Sequence, residues 1–219
     1  MRLALYWAPD LDDPLHAAGS AWLGRDAETG ALLPIPPERA AITHDPRSYG
    51  LHATLKPPFR PAAPYAEVLA AATAFAAAQT PFELPPLAVA NLEGFLALRE
   101  QAPCPALQAL ADASVTTLDS FRAPSTPEEI ARRRPDRLSP RQRGYLEAWG
   151  YPHVFADWRF HVTLTQRLAE AEMAEFRPQA EAAVNPAAMR PRLVNSVCLF
   201  TQAEPGAPFL IGGRLPFRG

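Results

Sequence analysis

His52-Ala53-Thr54-Leu55-Lys56 and His161-Val162-Thr163-Leu164-Thr165 state one pattern twice, H-x-T-L set in an apolar, strand-like context. In an extended strand side chains i and i+2 share a face, so His52 points with Thr54 and His161 with Thr163. Leu51, Ala53 and Leu55, and likewise Phe160, Val162 and Leu164, then line the opposite, buried face. Each strand offers one imidazole and one hydroxyl to a polar cleft, roughly 6.6 Å apart along the backbone at about 3.3 Å rise per residue. A single H-x-T is commonplace, because Thr favours strands and a histidine is often a satisfied surface or core residue. Two copies in matching apolar frames make accident a poor explanation.

The surroundings repeat as well. After the first motif, Pro64 opens a segment with Tyr65, Val68, Leu69, Ala72, Phe75 and Ala76 at helical spacing. The stretches Phe82 to Ala90 and Gly94 to Arg99 read as two strands turning at Asn91-Leu92-Glu93. After the second motif, Leu168 to Val184 carries a weaker apolar stripe, Met173, Phe176, Ala180 and Val184, with Pro178 placed to kink it. Leu193 to Thr201 and Pro208 to Phe217 follow as strand-like runs around Glu204-Pro205-Gly206. The order β-α-β-β thus occurs twice, over about 49–100 and 158–218, as an internal duplication.

Between the repeats, about 103–150, lies a segment with helical signals. Leu107, Leu110, Ala111, Ser114, Leu118 and Phe121 form one stripe; Thr126-Pro127-Glu128-Glu129 reads as a capping box; Ser139-Pro140 opens another helix that Gly150 stops. The insert therefore reads as a helical cover beside the lobes. It holds the one basic run of the chain, Arg132, Arg133, Arg134, Arg137, Arg141 and Arg143. Such runs are commonly solvated helix faces. The rival reading has one or two of these arginines, or Arg122, reaching over the cleft to a second phosphate.

Composition narrows the class. A chain of 219 residues buries a good core, and its 26 prolines, many against a typical share of about 5%, fall between elements without forming a polyproline tract. A net charge of −2 argues against tracking a nucleic-acid backbone and leaves a small anionic substrate compatible. Cys104 and Cys198 are too isolated for a disulfide framework or metal cluster. The apolar start, Leu3 to Trp7, is cut short by Pro9 and Asp10, and no segment approaches the roughly 18 apolar residues of a membrane span; a cytoplasmic protein is expected.

The paired H-x-T elements, with Leu3 to Pro9, Ser20 to Asp26, Tyr49 to Phe59, and Trp149-Gly150-Tyr151-Pro152, resemble the 2H phosphoesterase superfamily, and within it the bacterial subfamily encoded with phosphonate-degradation genes. The resemblance spans nearly the whole chain. It implies one α+β domain over 1–219, with two pseudo-symmetric ferredoxin-like lobes around a central cleft and a helical insert. It implies a metal-independent phosphoesterase or cyclic phosphodiesterase, without cofactor, acting on a small phosphorylated sugar or nucleotide in phosphonate catabolism. His52, Thr54, His161 and Thr163 are then the catalytic candidates; Lys56, Thr165, Tyr6 and Arg122 are candidates for substrate binding. Lys56, on the same strand face as His52 and Thr54, either adds positive charge to the site or is a solvated edge lysine, and the second motif carries Thr165 in its place. One imidazole neutral and its partner protonated would serve as base and acid at physiological pH. Trp22, Tyr6 and Phe217 read as core or pocket wall, and His16, His44 and His153 as surface or packing residues. The alternatives are RNA end processing, as a 2′,3′-cyclic phosphodiesterase or 2′-5′ ligase-like enzyme, and a non-catalytic phospho-ligand binder.

Overall fold

The computed structural model describes residues 1–219. In chain order the elements are β1 (Arg2–Trp7), α1 (Pro14–Leu23), α2 (Pro37–Ile42), α3 (His44–Tyr49), β2 (Ala53–Phe59), α4 (Tyr65–Ala77), β3 (Phe82–Leu84), β4 (Leu87–Leu92), β5 (Phe95–Glu100), α5 (Pro105–Thr117), α6 (Pro127–Arg132), α7 (Pro140–Trp149), β6 (Val162–Thr163), α8 (Glu170–Ala188), β7 (Arg192–Val194), β8 (Ser196–Gln202) and β9 (Leu210–Pro216). Seven strands form one antiparallel sheet in the order β4-β5-β6-β2-β1-β8-β9, and β3 pairs with β7 in a separate ribbon. The α+β class expected from the sequence holds.

The two motif strands lie side by side at the centre of that sheet, with Ala53 opposite Val162. Around this pair the halves match, except next to the motif strands. On one side β5 adjoins β6; on the other, the N-terminal strand β1 adjoins β2, and β9 is displaced to the edge. Each repeat also sends its terminal hairpin to the other's side: β4–β5 of the first flanks the second motif, and β8–β9 of the second lies beyond β1 next to the first. The helices follow, α4 packing on β8 and β9 and α8 on β4 and β5.

The apolar pattern explains why β1 is central. Leu3, Leu5 and Trp7 face the main core on the helix-covered side, and Ala4, Tyr6 and Ala8 face a smaller cluster with Cys198, Phe200 and Phe209 on the other. A strand buried on both faces reads as a continuous apolar run, as Leu3 to Trp7 does. Proline sets other boundaries. The strand expected over Phe82 to Ala90 is broken at Pro85-Pro86, since proline has no N–H for the ladder. The hairpin turn expected at Asn91 to Glu93 sits instead at Glu93 and Gly94, both at positive φ (52° and 97°), as a two-residue loop whose twist matches the flanking strands. In the insert the capping box expected at Thr126 forms, the helix opened by Ser139 carries a second one, and Gly150 ends α7 in a left-handed conformation with φ 71°.

Candidate functional site

His52 and His161 are held alike. Each stands immediately before its strand, and each Nδ1 meets the backbone carbonyl two residues upstream: Gly50 O at 2.9 Å and Arg159 O at 2.8 Å. A carbonyl only accepts, so Nδ1–H donates and the Nε2 lone pair is left facing outward from both rings. In the antiparallel register fixed by Ala53 and Val162, Thr163 lies across from His52 and His161 across from Thr54. The sheet thereby brings the four catalytic candidates onto one face in a two-fold arrangement.

They border a continuous cleft. One part, about 310 Å³, is walled by Tyr6, Tyr49, His52, Thr54, Thr163 and Thr165 with Arg2, Arg133, Arg167 and Asp45 at its margins. The adjoining part contains His161, His153 and Trp158 and shares Thr54, Phe95, Tyr151 and Arg167 with the first. The Thr54 hydroxyl lies against the Tyr6 phenol. Trp158 Nε1 donates to Thr54 O at 2.8 Å, and Trp22 Nε1 to Leu164 O at 3.0 Å, so both motif backbones are anchored from distant segments.

The rings sit in unlike surroundings. His52 stacks on Tyr6 at 4.0 Å between centroids, with Tyr49 and Phe200 further out; His161 meets only the edge of Phe95, at 5.9 Å. Burial pushes the His52 imidazole down to about 4, opposed by its bond to Gly50 and reinforced by His161. Burial also lowers His161, with its bond to the Arg159 carbonyl opposing and Arg99 adding to the shift. Desolvation thus disfavours the imidazolium in both half-sites, more strongly at His52.

Of the expected substrate-binding residues, Tyr6 and Thr165 line the cleft, though the Thr165 hydroxyl already accepts the Leu96 N–H at 2.9 Å. Lys56 and Arg122 do not. The register of β2 on β1 passes from Tyr6 opposite Thr54 to Leu5 opposite Lys56, so Leu55 is an extra residue in a bulge. A bulge reverses the alternation of side chains. Lys56 therefore turns from the cleft face to the helix-covered face, where it is 1% exposed and its Nζ donates to Val115 O and to Asp119 Oδ1, both at 3.1 Å. Arg122 holds the same Asp119 through two bonds of 2.8 and 3.0 Å and also donates to Ala148 O.

The sequence reading missed Arg2, Tyr49, Phe95, Tyr151 and Arg167 as cleft residues, and took His153 for a surface or packing residue. Arg133 of the arginine run does reach the cleft, stacked over the Tyr151 ring at 4.7 Å. A signal for the wall was present in Tyr49-Gly50: Gly50 has φ 78° and ψ −179°, a conformation essentially confined to glycine, and a Cβ there would lie 2.4 Å from Ala27 Cβ. Gly50→Ala is expected to cost about 2–4 kcal/mol in stability and to misplace the carbonyl that orients His52, lowering activity as well. Urea unfolding and turnover of the same preparation check this; an unchanged midpoint would contradict it.

The family model described as "Protein of unknown function (DUF1045)" matches residues 54–210, which include both motif threonines and His161. The chain belongs to the DUF1045 family. Curated relatives of this family member include the ribose 1,5-bisphosphate phosphokinase PhnN of Janthinobacterium sp. (strain Marseille), 40% identical across 100% of this chain and 51% of that protein. The protein of the same name from Laribacter hongkongensis (strain HLHK9) is 36% identical across 95% of this chain and 50% of that protein. The chain thus spans about half the length of the curated relatives it matches. Among solved structures, TT0787 of Thermus thermophilus aligns at TM-score 0.48 and 18% identity, covering 100% of this chain and 99% of that one. E. coli LigT complexed with NADP+ aligns at TM-score 0.47 and 16% identity, covering 100% of this chain and 98% of that one.

Proposed function

We propose that this DUF1045 protein is a 2H-type phosphoesterase that hydrolyses a cyclic phosphodiester of a small sugar phosphate or nucleotide, using His52, Thr54, His161 and Thr163. The observation that carries the reading is the pair of imidazoles, each with Nδ1 bonded to the carbonyl at i−2 and each across the sheet from the other motif's threonine. One Nε2 takes a proton from the attacking water as the oxygen–phosphorus bond forms. The other, as imidazolium, gives its proton to the leaving sugar oxygen as the second phosphorus–oxygen bond breaks. Each transfer is worth roughly 10²–10⁴ in rate. Thr54 and Thr163 donate to the non-bridging oxygens, and Arg2, Arg133 and Arg167 at the cleft margin outnumber Asp45, which suits an anion. The names of the longer relatives point to ribose phosphates as the substrate class, in keeping with a place in phosphonate catabolism.

The test is turnover by purified protein of a ribose cyclic phosphate against a short oligonucleotide ending in a 2′,3′-cyclic phosphate. Preference for the oligonucleotide would favour RNA processing, and tight binding without turnover would favour a phospho-ligand binder. No group of three or more His, Cys, Asp or Glu side chains is disposed to hold a metal ion, so turnover is expected to persist in excess chelator; loss restored by a divalent cation would refute the mechanism.

A pH dependence follows from the two depressed imidazoles. Because burial disfavours the charged form of both His52 and His161, an anionic substrate that favours the imidazolium is expected to draw in the proton the acid needs. Inorganic phosphate is therefore expected to bind with net proton uptake and more tightly at pH 6 than at pH 8. Calorimetry in two buffers of different ionisation enthalpy measures this directly, and proton release on binding would contradict it.

A further inference from the structure

Next to the histidine cleft, and sharing Arg2, Tyr49, Pro58 and Arg133 with it, is an annex of about 210 Å³ where the insert meets the sheet. Five arginines line it, Arg2, Arg60, Arg122, Arg132 and Arg133, against one carboxylate, Glu129. Two of the five are already neutralised: Arg60 by Glu129 at 3.0 Å and Arg122 by Asp119 at 2.8 Å. Arg2 and Arg133 make no ion pair with a carboxylate, and Arg132 makes no direct one, although it lies near enough to Glu128 and Glu129 to lower both carboxyls. Arg2 is aimed by its Nε bond to Gln202 at 2.6 Å, and Arg133 is held over Tyr151. Like charges collected in a concave site repel one another and raise the local concentration of anions. A solvated arginine face would leave these side chains free; here two of the three are pinned toward a shared pocket.

Resting on the phosphoesterase reading, we propose that this annex binds a second, non-reacting phosphate. The substrate is then a compact sugar carrying a cyclic phosphodiester at the histidine pair and a phosphomonoester beside Arg2, Arg132 and Arg133. A monoester brings close to two negative charges at pH 7 and three acceptor oxygens, which guanidinium groups engage through paired, charge-assisted bonds. A diester link of a nucleic-acid strand brings one charge and would leave the set undercompensated.

The experiment compares ribose 1,2-cyclic phosphate with and without a 5-phosphate on wild type, Arg132→Ala and Arg132→Lys. Wild type is expected to favour the 5-phosphorylated form by at least about tenfold in kcat/KM, expressed in KM; Arg132→Ala is expected to lower that ratio by about tenfold, and Arg132→Lys by less. In parallel, calorimetry follows ribose 5-phosphate binding to His52→Ala and to the His52→Ala, Arg132→Ala double variant, with about tenfold weaker binding expected in the second. No preference for the 5-phosphate in wild type, or equal binding by the two variants, overturns the annex. If wild type turns over neither substrate while ribose 5-phosphate binding still depends on Arg132, the phosphoesterase reading fails and the annex stands.

Discussion

His52→Ala and His161→Ala are each expected to lower kcat on a ribose cyclic phosphate by about 10²–10⁴, and the double variant by little more than the worse single one. Non-additivity follows because acid and base act in one step, so removing either leaves the other without a reaction to assist. The fold should survive both changes: the rings stand at strand entrances on the cleft face, outside the 37-residue main core. Stability at acid pH gives a second readout for His52. A buried neutral imidazole with a pKa of about 4, against 6.5 when exposed, leaves the unfolded chain binding more protons between those values. The part of wild-type stability linked to His52 is therefore full above about pH 6.5 and is lost as pH falls toward 4, and His52→Ala should flatten that slope. Steady-state kinetics with urea unfolding at pH 7 and pH 5 measure both effects. Near-normal turnover by either variant would remove the two-histidine mechanism.

Asp119→Ala is expected to destabilise the protein by about 3–5 kcal/mol, the usual cost of stripping one partner from a buried ion pair. Lys56 is 1% exposed and shares Asp119 with Arg122, so the substitution leaves its ammonium inside the protein with only Val115 O as acceptor. Burial lowers the Lys56 pKa, opposed chiefly by Asp119, and loss of that carboxylate pushes it further down. Lys56→Met, which removes the charge and keeps the volume, should be close to neutral in stability. It should also leave KM within about twofold, because the bulge at Leu55 turns Lys56 away from the cleft. Urea midpoints for the two variants, and KM for Lys56→Met, decide the matter; a KM raised tenfold or more would return Lys56 to the substrate.

Two H-x-T motifs, the helices that follow them and the capped helices of the insert were legible because they depend on short-range rules. A period of two residues sets which side chains share a face, and a carbonyl at i−2 sets each imidazole, so the arrangement at His52 and at His161 is written within three residues of chain. The exchange of hairpins was not legible, because strand neighbours are chosen by long-range burial. β1, apolar at every position from Leu3 to Trp7, takes the doubly covered central place, and β9 is left at the edge. Lys56 was misread for a related reason: one bulge, created by how β2 registers on a strand some fifty residues earlier, reverses a face that local alternation had fixed. The sequence by itself determined the chemistry on offer, two imidazoles and two hydroxyls in matching frames. Tertiary structure alone decided what surrounds them, since Arg2, Tyr151, Arg133 and Arg167 reach the cleft from four separate segments and become neighbours only when the chain closes.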